Sequence, residues 1–483
     1  MKLLSSSRFF IFWILSSCAV FTVIVLLLGI LGGGEITLSK VLACVLISAT
    51  VGLTLEALYR SREKFTFDLR YPRTVYGVFY ILYYALPFLG KLFNDQFEFG
   101  DEAYIAFIIL VGAICWNLGM RIVPCHNILA NRRVISAKAT VALLLVLILS
   151  VGIVIYGILW RIREGVFYNQ ARYVELETTI LDSLRGVLAV QLQLPIILLL
   201  AMLAGLQLRG LAAMPKLLFA SYGVITVLVL MLSSQTRPAI TAMLFLYLGY
   251  GLKSTVKWNL KIFLTVALSS VFIVIMVQGF RITQNEEFAS SSNQLLYALK
   301  NIVNSTEQLV SSGENRTTMM NAVGSRASGG IDFLNLVVRE IDLRGQPFWG
   351  EGILLSLAGL VPRLFWPEKP VVVPMQIVMQ QLLGFSDLYD AVPGPLIQFY
   401  FEGGLFGVVV GCVVLGSCLG WMTKRTFETG AIGWWICLAF VWSTVANAEQ
   451  ELVLGFFGAI RGAALMYFIW ALLNIFSQKA RRV

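Results

Sequence analysis

Apolar runs of about 20 residues, the length that crosses a hydrocarbon core as an α-helix, recur along almost the whole chain. No other feature restricts the fold as much. Of 483 residues, 58% are hydrophobic and only 13% are charged. A water-soluble domain of that make-up would expose large apolar patches and aggregate. A strand barrel is excluded, because its crossings are about 10 residues of alternating character. The sequence predicts an all-α polytopic membrane protein.

Twelve spans fit, at roughly 9–31, 36–58, 72–93, 102–122, 138–160, 184–207, 214–233, 238–252, 260–280, 394–421, 430–447 and 452–476. The first run, Phe9 to Leu31, is too long for the apolar region of a signal peptide, and no small-residue cleavage site follows it. It reads as a retained span. The eighth span is short and starts from the turn Ser233-Ser234-Gln235-Thr236-Arg237-Pro238.

Charge sets the orientation. With the N-terminus inside, the short cytoplasmic loops collect 21 of the 37 basic residues, among them Arg60, Arg62, Lys64, Arg132, Arg133, Lys253, Lys257, Lys424 and Arg425. The first outer loops, 31–35 and 94–102, are nearly free of basic charge. This is the positive-inside pattern, and it places both termini in the cytoplasm. The predicted organisation is a membrane domain over 1–280, an extracytoplasmic loop subdomain over 281–393, and a membrane domain over 394–483 that holds the last three spans.

The long loop breaks the pattern. It lies on the face that membrane proteins usually keep poor in basic residues, yet it holds Arg281, Arg316, Arg326, Arg339, Arg344 and Arg363. Arginine grips phosphate with a planar fork and never loses its charge. An anionic ligand handled on the outer face is the simplest reason for the excess. Within the loop, residues 291–311 show a weak helical pattern. Ile331 to Leu343 is a better helix, with Ile331, Leu334, Val338 and Ile341 on one stripe, Gly329-Gly330 before it and Gly345 after it. Residues 353–361 are apolar but too short to span, and Pro362, Pro367, Pro370 and Pro374 keep the next stretch extended. Trp349 and Trp366 suit the headgroup level.

The loop at 160–184 carries Arg161, Arg163 and Arg172. It reads either as a solvated loop or as the second half of an anion site. Arg461 lies inside the last apolar run, where a charge is costly unless paired or solvated. A structural pair with Glu449 or Glu451 and a wet cavity for an anion are both open readings.

Several chemistries are set aside. The chain has no Gly-x-x-x-x-Gly-Lys-Ser/Thr loop and no His-Glu-x-x-His. Its only histidine, His126, and one of its seven cysteines, Cys125, fall in a cytoplasmic loop; the other cysteines fall in spans. Neither a disulfide framework nor a metal site is expected, and no cofactor. Acidic residues within spans are few, chiefly Glu56 and Glu402, which weakens an ion-coupled transporter reading.

The large outer loop before the last three spans contains Pro362-Arg363-Leu364-Phe365-Trp366-Pro367-Glu368-Lys369-Pro370. That element, in that place, resembles the Wzy family of oligosaccharide repeat-unit (O-antigen) polymerases. The family often continues with Gly-Glu-x-Tyr-x-Asn-Phe-Gly-x-x-Gly. Here the segment reads Ile397-Gln398-Phe399-Tyr400-Phe401-Glu402-Gly403-Gly404-Leu405-Phe406-Gly407. The tyrosine and the last two glycines match, Gln398 replaces the glutamate, and Glu402 stands where asparagine is common. The turn Ser234-Gln235-Thr236-Arg237 is similar to one between two middle spans of this family and of O-antigen ligases. The Arg-x10-Gly pattern associated with the family's outer loops occurs as Arg339 to Gly350.

The resemblance implies a GT-C-like membrane glycosyltransferase of the bacterial cytoplasmic (inner) membrane. Its substrates would be lipid-linked oligosaccharides on undecaprenyl diphosphate, a growing glycan passing from one carrier to the next repeat unit. Arg237, Arg281, Arg339 and Arg363, then Arg161, Arg172, Arg461 and Lys369, would hold diphosphate and glycan. Glu402 beside Tyr400 would deprotonate the accepting hydroxyl, unless it is a polar lining residue without chemistry. Membrane lipid and a chain-length regulator protein are the expected partners, and nucleic acid is not. An O-antigen ligase stays open, though that family typically has a histidine in its large outer loop. So does a flippase or exporter of lipid-linked glycan, which would not need so long a loop.

Overall fold

The computed structural model describes residues 37–60, 72–93, 102–123, 313–351 and 394–429, and single positions 156, 353, 434, 437, 464 and 471. All regular structure among them is helical. The described residues up to 123, those of 324–351 and those of 394–429 belong to one compact unit.

Three helices are long and apolar enough to cross a membrane. They are α1 (Leu38–Arg60), α4 (Glu102–Ile122) and α6 (Pro395–Thr429). Between α1 and α4 lies a helical rod of three pieces: α2 (Pro72–Tyr80), a π-helix (Ile81–Ala85) and α3 (Leu86–Phe93). The surface supports a lipid setting. Phe107, Ile114, Leu118 and Ile122 of α4 and Phe406, Val410, Val414 and Trp421 of α6 are exposed, each set spaced as one helical stripe. Aliphatic stripes of that size are stable outside only against another apolar phase.

Side-chain contacts fix the helix directions. Ser39 donates to Glu102 at 2.8 Å, tying the starts of α1 and α4, so the two run the same way. Tyr76 stacks on Trp116 at 4.5 Å, and the Tyr80 hydroxyl donates to the Ile109 carbonyl at 2.6 Å. The rod over 72–93 therefore runs opposite to α4. A spacing of four residues drifts around an α-helix; the wider π turn, closed by the Leu86 N–H on the Ile81 carbonyl, takes up that drift. Tyr76, Tyr80 and Tyr84 thus line up as one buried column of mutually tilted rings, with centres 5.7 and 4.9 Å apart.

The α4–α6 contact depends on glycine. A methyl group at Gly119 would collide with the Val413 carbonyl, and one at Gly416 with the Trp116 carbonyl. Ser417 reaches the Gly119 carbonyl at 3.2 Å. With no hydrophobic drive between helices in lipid, close backbone approach of this kind supplies the packing. Gly112 lies beside Cys412, and Met120 beside Gly420, so this part of α6 runs parallel to α4.

Helix α6 is not the single crossing expected over 394–421. Gly403 (φ −147°, ψ 18°) and Gly404 (φ 55°, ψ −145°) break it. Only glycine takes the second of these conformations without strain. Across the break the chain doubles back: a methyl group at Gly407 would strike the Phe399 carbonyl, and one at Gly411 the Phe399 ring. Residues 395–402 form a short first limb and residues 405–429 the long second limb of a hairpin.

Helix α5 (Gly313–Arg344) contains the helix expected over 331–343. Its stripe of Ile331, Leu334, Val338 and Ile341 is buried, with Phe333 and Val337 beside it. The helix does not begin after Gly329-Gly330 but runs through them. A glycine inside a helix costs about 1 kcal/mol against alanine, a cost that tertiary burial of the stripe can exceed. The end is as expected. Gly345 takes φ +71°, and its N–H reaches the Ile341 carbonyl at 2.9 Å, a left-handed cap. The segments expected at 291–311 and 353–361, apart from position 353, lie outside the described residues, as does the element 362–370.

Candidate functional site

The first limb of the α6 hairpin begins deep in the bundle. Leu396 packs where Gly112, the middle of α4, leaves room, and the Tyr400 hydroxyl meets that of Tyr104, near the start of α4, at 3.2 Å. The limb therefore runs opposite to α4, from about 15 Å below the start of α4, at 1.5 Å per residue, up to its end. Pro395 opens it, where a missing N–H does no harm, and the Gln398 N–H closes the first turn on the Gly394 carbonyl at 3.0 Å. Every residue from 394 to 402 is buried.

Each face of this limb meets something different. At 100° per residue, Leu396 and Tyr400 turn towards α4, Phe399 towards the second limb, and Phe401 towards the turn after α5. Gln398 and Glu402, one helical turn apart, share the remaining face. Gln398 is 0% exposed and Glu402 6% exposed. The limb thus carries a buried amide and a buried carboxylate in line, and the carboxylate sits next to the Gly403-Gly404 reversal.

Helix α5 and its turn close over this tip. Asp332 forms an ion pair with Lys91, which ends the rod over 72–93 and is largely buried. At the other end of the contact, the Phe348 N–H donates to the Phe401 carbonyl at 3.2 Å, and the two rings stack at 4.1 Å. Between these anchors in sequence, Asp342 lies on the exposed side of α5, within electrostatic range of Tyr400. The ends of α1, α3 and α4, the hairpin tip and α5 thus meet at one end of the bundle.

Of the residues singled out in the sequence, Tyr400 and Glu402 fall two positions apart on the first limb, and Arg339 is exposed on α5. Arg161, Arg172, Arg237, Arg281, Arg363, Lys369 and Arg461 lie outside the described residues. The fold adds Tyr104 to the site, along with the Lys91–Asp332 pair, and leaves Asp342 at its exposed margin. Tyr104 had a weak signal, a tyrosine in the first turn of a span at headgroup level. Asp342 had none, since it lies on the polar side of an amphipathic helix like many surface carboxylates.

A buried carboxylate at the end of a helix bundle can accept a proton from an incoming hydroxyl; the Tyr400–Tyr104 pair lies on the opposite side of the limb, against α4. Among the described residues, no three His, Cys, Asp or Glu side chains converge as a metal site. Compared with known proteins, the chain matches no family model, no curated sequence and no solved structure.

Proposed function

We propose that this protein is an oligosaccharide repeat-unit polymerase. It transfers a growing undecaprenyl-diphosphate-linked glycan onto another lipid-linked repeat unit at the outer face of the bacterial cytoplasmic membrane. The observation that carries the reading is the wholly buried first limb of α6, which holds Gln398, Tyr400 and Glu402 at the end of the bundle. Those residues fall in the segment on which the sequence resembles the Wzy family. A carboxylate kept buried in a membrane protein is costly and calls for a function.

In this reading Glu402 takes the proton of the accepting sugar hydroxyl, and Tyr400, bonded to Tyr104 on the α4 side of the limb, holds in place the limb that carries it. The arginines of the outer loops, led by Arg237, Arg281, Arg339 and Arg363, neutralise the departing diphosphate. The fold would be GT-C-like with 12 spans and both termini in the cytoplasm. The common direction of α1, α4 and the second limb of α6 supports that count. It calls for an odd number of crossings between residue 123 and the turn at 403–404, and the five spans predicted there supply one.

The test is the glycan ladder of cells lacking the protein. Loss of long chains with a single repeat unit retained on the acceptor is the expected result. Loss of every repeat unit would point to a ligase or flippase and end the polymerase reading. In the same assay, Arg237→Lys and Arg363→Lys should impair chain growth nearly as much as the alanine variants, because a bidentate fork loses its geometry as lysine.

A further inference from the structure

The turn after α5 is built around one unusual residue. Trp349 has φ +51°, the left-handed region, and no other non-glycine residue among those described has a positive φ. A bulky side chain rarely adopts that backbone, and positions where it does concentrate at ligand sites. Gly345 and Gly350, with φ +71° and +91°, bracket the turn. Trp349 is 67% exposed, although the residues around it are held fast. Phe348 is bonded to and stacked on Phe401, the Arg344 guanidinium lies 4.4 Å from the centre of the Phe348 ring, and the Glu351 N–H returns to the Phe348 carbonyl at 3.2 Å. A rigid turn therefore presents a bare indole next to the segment that bears Glu402.

We propose that Trp349 is a sugar-binding platform: a pyranose ring of the glycan stacks its C–H face on the indole, next to the hairpin tip. The electron-rich face of the indole matches the weakly positive C–H face of such a ring. The exposed Arg344 and Glu351 flank the turn and can bond its hydroxyls. A tryptophan that merely anchors the protein at the headgroups has no need of a left-handed backbone. The proposal rests on the glycan-transfer reading, and the experiment separates the two.

The purified full chain in lipid nanodiscs, labelled with 5-fluorotryptophan, has 11 tryptophan signals, and the Trp349→Phe variant identifies the one from Trp349. The probe is the water-soluble oligosaccharide released by mild acid from the lipid-linked pool of the producing cells. The Trp349 signal should shift saturably with the probe. In chain elongation, Trp349→Ala should raise the KM for the accepting repeat unit about tenfold, the scale of one aromatic stacking contact, with kcat kept, and Trp349→Phe should restore most of the loss. A Trp349 signal that ignores saturating oligosaccharide but is broadened by headgroup spin-labelled lipid would overturn the proposal, leaving a membrane anchor. If the signal responds but the protein elongates nothing, the platform stands and the polymerase reading fails. If elongation is normal and the signal is unmoved, the platform fails and the polymerase reading stands.

Discussion

The two limbs of the α6 hairpin are one sequence stretch in two environments. The second limb, 405–429, exposes Phe406, Val409, Val410, Val414 and Trp421. The first limb, 395–402, exposes nothing and holds Gln398 and Glu402. In water the apolar limb would be the costly one. In lipid the order reverses: exposed valine and phenylalanine cost nothing, while a buried carboxylate must be desolvated and held. The second limb is therefore explained by packing alone, through Gly416, Ser417 and Gly420 against α4. The first limb is not, and the chemistry is sought there.

Glu402→Gln should sharpen the contrast most. If the carboxylate is the base, chain elongation falls about a hundred- to ten-thousand-fold, while the amount of protein in the membrane and its unfolding midpoint stay unchanged. A loss of only a few-fold would make it a lining residue. Gly119→Leu should do the opposite. It forces the second limb off α4 and costs about 3 kcal/mol of stability, read as poor accumulation and a lowered midpoint in detergent.

The Lys91–Asp332 pair, which pins α5 near the first limb, should respond unequally to its two deletions. Asp332→Ala strands a buried lysine and should cost about 2 kcal/mol. Lys91→Met leaves a half-exposed aspartate in contact with solvent and should cost under about 1 kcal/mol. Equal losses in detergent unfolding would argue against the lysine being the buried partner. Phe348→Leu keeps bulk but removes the stack on Phe401, so a loss of about 1 kcal/mol is expected, together with slower elongation because the tip loses its cover. The smallest effect has the other sign. Gly329 has open space around its α-carbon, so Gly329→Ala should stabilise α5 by about 0.5–1 kcal/mol, seen as a slightly raised midpoint.

Much of the fold could be read in advance because hydropathy and periodicity are local. The lengths of α1 and α4, the buried stripe Ile331, Leu334, Val338 and Ile341, and the glycine cap at 345 all follow from residues within a turn or two of one another. Gly329-Gly330 misled for the same reason: glycine marks a boundary only when no tertiary contact overrides its modest cost. Tyr400 and Glu402 could be picked out by the segment they occupy. Gln398 was visible only as a departure from a motif, and its place in line with Glu402 depends on the limb being helical and buried.

The sequence by itself determined that 38–60, 72–93, 102–122 and 331–343 are helical, that the first and third of these suit a membrane, and which face of α5 is apolar, because side-chain chemistry and spacing carry that information directly. Only the tertiary structure decided that Gly403-Gly404 is a reversal and not part of a straight span, since glycine permits both backbones equally. It likewise decided that Tyr104 meets Tyr400 across 296 positions and that Asp332 finds Lys91 across 241. Partners that far apart are chosen by how the helices stack, through the glycine faces of α4 and α6, and no local pattern records that choice.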